Sequence, residues 1–420
     1  MTAQHFDVLV VGGGMVGAAV ATALGQQDIK VAVFDRSITQ PMETHALPEL
    51  RVSALSYASE QILHQLGAWP HMSEMRMCPY RRMAVWEKLH HPWGKEVATR
   101  FNQTVFDAKD IHCPQLGFIV ENRVTQLGLL EAMNAYDSVE LFCPTQIEQI
   151  SLHSDRPEVV LSDGRQFTGD LLVGADGAQS RVRQEAGLGI EQSDYEQQCL
   201  VATVEIEGGC QDITWQAFTA TGPEAFLPLP DIDGRHYASI VWYNIPENIQ
   251  RLKKLSNDAF IKELSQTFPV ELPSIKTVLE RGSFPLTRRH ALNYWRKGVV
   301  LVGDAAHTIN PLAGQGVNLG FQDAAWLAEI LVSAYQAGES LGSAEVLKRY
   351  ERCRKAENQK MMNVMDGFYH AFSNTNKPLK LLRNLSLGVA GRATSAIKMV
   401  MKHAMGLSGK QPRLAKRERI

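Results

Sequence analysis

The run Phe6-Asp7-Val8-Leu9-Val10-Val11 is short, β-branched and almost wholly apolar, as expected of a strand buried on both faces. The pattern breaks at glycines, becomes an alanine- and leucine-rich helical stretch over 15–27, and returns to an apolar run over Lys30–Asp35. That order predicts a βαβ unit. Helical patterning recurs over 56–67 and 123–135, and Val159–Asp176 reads as strand, Asp163-Gly164 turn and strand. From about 195 to 285 the period changes: β-like runs Leu200–Ile206, Ile213–Thr219 and His236–Tyr243 are separated by Gly, Pro and Asp, which predicts an antiparallel sheet. Gly-Val-Val-Leu-Val-Gly at 298–303 is again a buried strand, followed by a long helical region. A strand-rich block between two βα-type blocks predicts an α/β fold with one domain inserted into another.

A length of 420 residues fits two domains, and 45% hydrophobic with 21% charged residues is an ordinary globular composition. The formal net charge of -2 argues against wholesale nucleic-acid binding. Six cysteines lie scattered with no Cys-x-x-Cys pair, so neither a metal site nor a disulfide framework is expected, and reduced thiols are. The first strand starts after five residues, leaving no room for a leader, and no apolar run nears the roughly 18 residues of a spanning helix. A cytoplasmic protein is expected, with contact at the inner membrane left open.

Gly12-x-Gly14-x-x-Gly17 follows a strand and opens a helix, the context a dinucleotide requires. The first glycine permits the tight turn, the second admits the pyrophosphate, and the third lets helix and strand touch. Free N–H groups at the helix start, around Met15 and Val16, favour the phosphates. Asp35, with Arg36 beside it, ends the second strand where an acid can bond ribose hydroxyls; an acid fits an unphosphorylated adenosine ribose. These residues alone do not separate NAD from FAD.

Two later segments do. Gly174-Ala175-Asp176-Gly177-Ala178-Gln179-Ser180-Arg181-Val182-Arg183 and Gly303-Asp304-Ala305-Ala306-His307 each follow a strand, and the second continues to Asn310-Pro311-Leu312-Ala313-Gly314-Gln315-Gly316-Val317-Asn318-Leu319-Gly320. With these motifs, nearly the whole chain resembles the flavin-dependent aromatic hydroxylases related to para-hydroxybenzoate hydroxylase. Arg51-Val52-Ser53-Ala54-Leu55-Ser56 and Val120-Glu121-Asn122 narrow the likeness to the ring hydroxylases of ubiquinone biosynthesis. Thr214-Trp215-Gln216-x-Phe218, Gly222-Pro223-x-Ala225-Phe226-Leu227-Pro228-Leu229 and Phe284–Leu292 bring it nearest the bacterial demethoxyubiquinol hydroxylases.

The resemblance implies a Rossmann-like FAD-binding domain (1–75, 105–185 and 285–350), an inserted antiparallel β domain for substrate (76–104 and 186–284) and C-terminal helices with a basic tail (351–420). It implies tightly bound FAD, transient NADH or NADPH, molecular oxygen, and a prenylated quinol hydroxylated through a flavin C4a-hydroperoxide. Asp35 would hold the adenosine ribose, Arg51 would lie by the flavin or its phosphates, and Asn122 would contact the middle of the cofactor. Asp176 and Gly177 would shape the FAD site, and Gly303-Asp304 would meet the ribityl chain. Pro311 and the backbone of Gly314, Gln315, Gly316, Val317 and Asn318 would border the flavin ring, Pro311 being the one residue carried over toward the reacting ring. Glycine suits that border, where N–H donors must approach the ring without a side chain in the way. His307 is expected to serve local structure rather than catalysis.

Three alternatives stay open at this point: hydroxylation at another ring position, a prenyl-group reductase, and a non-catalytic lipid-binding subunit of a quinone-synthesis complex. Halogenation is disfavoured, because Val241-Trp242-Tyr243-Asn244-Ile245-Pro246 lacks both tryptophans of the halogenase word at their places. From Lys377 onward basic residues recur against the single acid Glu418, while Leu381, Leu385, Val389, Ala393, Ile397, Val400 and Ala404 fall at helical spacing. A basic amphipathic helix can lie on anionic lipid or dock on other proteins of the pathway; a core-packed helix with a solvated tail is the plainer expectation.

Overall fold

A computed structural model describes residues 3–90, 96–97, 103–152, 156–268, 272–310, 315–372, 401–402, 405–407 and 409–416. Strand Gln4–Val11 lies between Val31–Phe34 and Gln166–Gly174, parallel to both, and Val139–Phe142 extends the sheet beyond Val31–Phe34. The strand Gln166–Gly174 divides its second edge. Its start pairs antiparallel with Glu158–Leu161, and its end pairs parallel with Val299–Leu301 from much later in the chain. Both faces are covered, which is why these strands read as unbroken apolar runs. Helix Met15–Gly25 is buried from Gly17 onward, so it is apolar all round rather than striped.

A second eight-stranded sheet runs in the order His307–Thr308, Ile275–Ala291, Ile190–Ile206, His236–Asn244, Gly222–Pro228, Ile213–Thr219, Arg82–Glu87 and Gln103–Asp107. It is antiparallel, as expected, except that Ile213–Thr219 runs parallel to Arg82–Glu87. One face carries Leu200, Ala202, Ile240 and Trp242 into a core with Ile249, Leu252, Phe260 and Leu264. Those last four come from helices Pro246–Lys254 and Asn257–Thr267, which the strand-like reading of the middle block overlooked. Their local signals are ordinary: a proline in the first turn of one, and Ser256 accepting from the Ala259 N–H at the start of the other. The opposite face of the sheet is free to line a cavity.

A third sheet of three strands, Val52–Ser56, Gly117–Glu121 and Cys78–Tyr80, stands between the two. No helix among the described residues is long and apolar enough to cross a membrane. Most of the amphipathic stretch expected after Lys377 lies outside the described residues. The described remainder returns to the body of the protein: Met401 and Met405 are buried with Tyr80 and Tyr237, Ala415 is buried, and the Arg413 N–H donates to Glu329.

Candidate functional site

The first strand ends at Gly12, whose φ of +102° favours glycine, and a Cβ there would lie 2.4 Å from the Ala175 carbonyl oxygen. A Cβ on Gly17 would lie 1.9 Å from the Gly12 carbonyl oxygen, so helix and strand touch only because this position is bare. Gly14, by contrast, caps the helix with nothing within 4 Å of a Cβ, leaving open space where the helix N–H groups begin. Asp35 closes the turn: its carboxylate accepts the Gly13 N–H at 2.7 Å and the Ser37 N–H at 2.9 Å. Arg36 is exposed beside it.

A cleft of about 770 Å³ begins here. Gly14, Met15, Val16, Arg51, Asn122, Gly177, Gly303, Asp304, Gly316 and Val317 all line it, so three sequence-distant motifs meet in one space. Gly12, Gly17, Asp35, Asp176 and Asn318 stand behind the lining and shape the turns. Pro311 and Gly314 lie outside the described residues, and Gln315 is described only as the first residue of helix Gln315–Gln336. Asp304 is open to the cleft and makes no side-chain hydrogen bond among the described residues. Protein crowding on its other sides pushes its carboxyl up, with His307, Arg51 and Arg289 opposing. Arg51 is likewise exposed and forms no ion pair among the described residues.

Asp176 and Asn318 have duties that the motifs did not show. The Asp176 carboxylate accepts from Ser180 Oγ (2.5 Å) and from the N–H groups of Arg181 (2.7 Å) and Val182 (3.1 Å), capping helix Arg181–Glu185. The Asn318 amide donates to the Ala54 carbonyl and accepts from the Ser56 N–H and Ser59 Oγ, so it fastens its helix to Val52–Ser56.

Behind the Gly303 turn lies a buried polar network. Asp323 accepts from His307 Nε2 (2.5 Å), Arg354 Nε (2.7 Å), Asn358 (3.0 Å) and the Gly303 N–H (3.1 Å). Burial opposes its charge, but His307 and Arg354 prevail and hold the carboxyl well below the usual carboxylate range. Asn358 continues to the Tyr294 hydroxyl, which meets His290 Nε2 at 2.9 Å. His307 is therefore structural, as expected: 1% exposed and consumed by Asp323.

Burial, aided by nearby His307, Lys355 and Arg288, pushes the His290 imidazole down to about 4 from its ordinary 6.5. The unfolded chain takes up this proton at higher pH than the folded one, so stability falls as pH drops from about 6.5 toward 4. At about 1.4 kcal/mol per pKa unit, roughly 2 kcal/mol is lost between pH 6.5 and 5. Urea midpoints across that window should show a slope that His290→Gln flattens; an equal slope in the variant would remove His290 from this role.

The far end of the cleft is the free face of the second sheet, lined by Val201, Thr214, Gln216, Ser239, Val241 and Tyr243 among others. Ser239 and Tyr243 are 0% and 1% exposed, and neither hydroxyl has a hydrogen-bond partner among the described residues. Sequence reasoning placed Tyr243 among the aromatics of a substrate lid, with Trp215, Phe218, Phe226 and Trp242, but missed Ser239. The signal was the alternation in His236–Asn244, where residues 239, 241 and 243 share the face opposite Ile240 and Trp242.

Residues 5–364 match the family model described as "FAD binding domain". The chain is 43% identical to the 3-demethoxyubiquinol 3-hydroxylase of Escherichia coli, over 97% of this chain and all of that one. It is 32% identical to the ubiquinone hydroxylase UbiL of Rhodospirillum rubrum, over 97% of this chain and 92% of that one. Among solved structures it shares the fold of the p-nitrophenol 4-monooxygenase PnpA of Pseudomonas putida. The TM-score is 0.76 at 17% identity, over 97% of this chain and all of that one. A glycine turn, an acid at the next strand end, two further motifs meeting in the same cleft and these likenesses agree: the chain belongs to the FAD-dependent aromatic hydroxylases, in the group that acts in ubiquinone biosynthesis.

Proposed function

We propose that this enzyme hydroxylates the ring of a polyprenylated quinol precursor of ubiquinone, demethoxyubiquinol, using O2 and electrons from NADH or NADPH. One observation carries the reading: a single cleft runs from the glycine turn to the free face of the second sheet, so cofactor and ring share one space. The donor set fits FAD. The helix start at Gly14–Val16 would meet the pyrophosphate and Asp35 the adenosine ribose, with Arg36 at its rim. Arg51 and Asn122 would flank the middle of the cofactor, and Gly177 would shape its bed. Asp304, an open carboxylate with no side-chain hydrogen bond among the described residues, would take ribityl hydroxyls. The helix start from Gln315 through Gly316 and Val317, with the backbone of Asn318, would offer N–H groups to the ring, and Pro311 and Gly314 would border it. When bound, the flavin supplies the activation of O2 and delivery of one oxygen atom to the quinol.

The chain supplies the rest. The three stretches around the first sheet form the FAD unit, and the second sheet forms the substrate unit. The apolar walls from Val201, Ala225, Leu227, Val241 and Phe284 exclude water and suit a ring with a prenyl chain. The Ser239 hydroxyl is a candidate to bond a ring oxygen, because it has no partner among the described residues. Removing it should not cost stability, since an unsatisfied buried group is itself unfavourable. Ser239→Ala should melt like wild type while kcat/KM falls about tenfold, the worth of roughly one hydrogen bond. A wild-type kcat/KM would discard this assignment. Docking on lipid or on other proteins of the pathway would rest on the basic residues after Lys377.

The decisive test supplies FAD-loaded protein with demethoxyubiquinol, NADH and isotopically labelled oxygen gas. The expected product is one oxygen heavier and carries the label. An unlabelled or unchanged quinol, with flavin reduction intact, would overturn the reading.

A further inference from the structure

Two cysteines far apart in the chain meet at the seam between the sheets. Cys78 starts the strand Cys78–Tyr80 of the small third sheet, and Cys210 follows the long strand Ile190–Ile206 of the second sheet. Their sulfur atoms are 3.9 Å apart, with Cys78 buried and Cys210 exposed. We propose that Cys78 and Cys210 are a peroxide-responsive thiol pair that closes into a reversible disulfide, tying the third sheet to the second.

The division of labour follows from the surroundings. The contact with Cys78 lowers the Cys210 thiol; burial opposes this, His236 assists, and Asp231 and Asp212 oppose. The same contact, together with burial, pushes the Cys78 thiol up. Cys210 is the exposed, reachable thiol and Cys78 the buried partner that resolves it. Gly208 and Gly209, with φ of +88° and +98°, immediately precede Cys210. Their backbone freedom lets the turn carry its sulfur the remaining distance to a bond of about 2 Å. Tyr80, on the same short strand as Cys78, and Thr214, just beyond Cys210, both line the cleft, and the Arg81 N–H already donates to the Asp212 carbonyl at 2.8 Å, so the bond would lock the stretch of wall where the two segments meet.

The chemistry balances with hydrogen peroxide as oxidant. The Cys210 thiolate attacks one peroxide oxygen; the S–O bond forms, the O–O bond breaks, and hydroxide leaves and takes a proton to become water. The Cys78 sulfur then attacks Cys210; the S–S bond forms, the S–O bond breaks, and the hydroxyl leaves with the Cys78 proton as a second water. Two thiols are oxidised and one peroxide is reduced. A small-molecule dithiol reverses the step by thiol exchange. If the proposed function holds, activated oxygen that is not passed to a ring would leave as peroxide beside this pair.

The reduced holoenzyme, exposed to hydrogen peroxide and quenched with an alkylating agent, should yield one cross-linked peptide pair joining Cys78 to Cys210. Dithiothreitol should dissolve it, and Cys113, Cys143, Cys199 and Cys353 should remain alkylated. Cys78→Ser should leave a sulfenic acid on Cys210 that dimedone traps, whereas Cys210→Ser should leave Cys78 alkylated. None of these readouts depends on hydroxylase activity. Wild-type protein with both thiols alkylated, with an oxidised Cys210 beside a free Cys78, or cross-linked through other cysteines would overturn the proposal.

Discussion

Gly17→Val is expected to purify without the yellow of bound flavin. Any Cβ at this position meets the Gly12 carbonyl oxygen at 1.9 Å, so the helix start must move off the strand and take its phosphate-facing N–H groups with it. Overpacking of this kind costs about 1–3 kcal/mol, which corresponds to a loss of FAD affinity of about tenfold to a hundredfold. Gly14→Ala makes the useful contrast, because nothing lies within 4 Å of its Cβ. It should keep wild-type stability and lose affinity only by crowding the ligand. Flavin absorbance after gel filtration, FAD titration and circular dichroism together check the pair. A Gly17→Val protein that retains flavin at wild-type affinity would contradict the placement of the pyrophosphate.

Asp323→Ala should be the most destabilising single change in the core. It leaves the His307 imidazole and the Arg354 guanidinium buried at 1% and 4% exposure without their shared carboxylate. Breaking a buried pair on one side costs about 3–5 kcal/mol. Asp323→Asn, which keeps the shape and some hydrogen bonds, should cost about 1–3 kcal/mol. Urea unfolding measures both, and a loss under about 1 kcal/mol in the alanine variant would show the network to be dispensable. Because Asp323 also receives the Gly303 N–H, FAD should dissociate faster from both variants.

What the sequence disclosed follows the range of the interaction involved. The first βαβ unit was legible because its glycines, its apolar runs and Asp35 act within a few dozen residues of one another. Strand Ile213–Thr219 was legible at its observed limits for the same local reasons. Helices Pro246–Lys254 and Asn257–Thr267 were not, since each buries only two side chains under the sheet and both sit in a stretch dominated by strand patterning. In the site, the motifs named the residues but not always their duties. Asp176 is taken up by the cap of a short helix, and the Asn318 amide by bonds to a strand more than two hundred residues earlier. The alternation in His236–Asn244 puts Ser239 and Tyr243 on one face, but that this face meets the cleft is decided by strand pairing with segments dozens of residues away.

The split edge of strand Gln166–Gly174 has a consequence for how the molecule is made. On the ribosome, Leu172–Gly174 emerges long before its partner Val299–Leu301, with five of the eight strands of the second sheet translated in between. Until then the nascent sheet carries an open apolar edge, the kind of surface that invites mispairing. Arg82–Glu87 waits in the same way for Ile213–Thr219. Neither unit can close before the other is largely synthesised, so the two should be completed together, late, and a chain stopped before Leu301 should be prey for chaperones and proteases rather than a stable fragment.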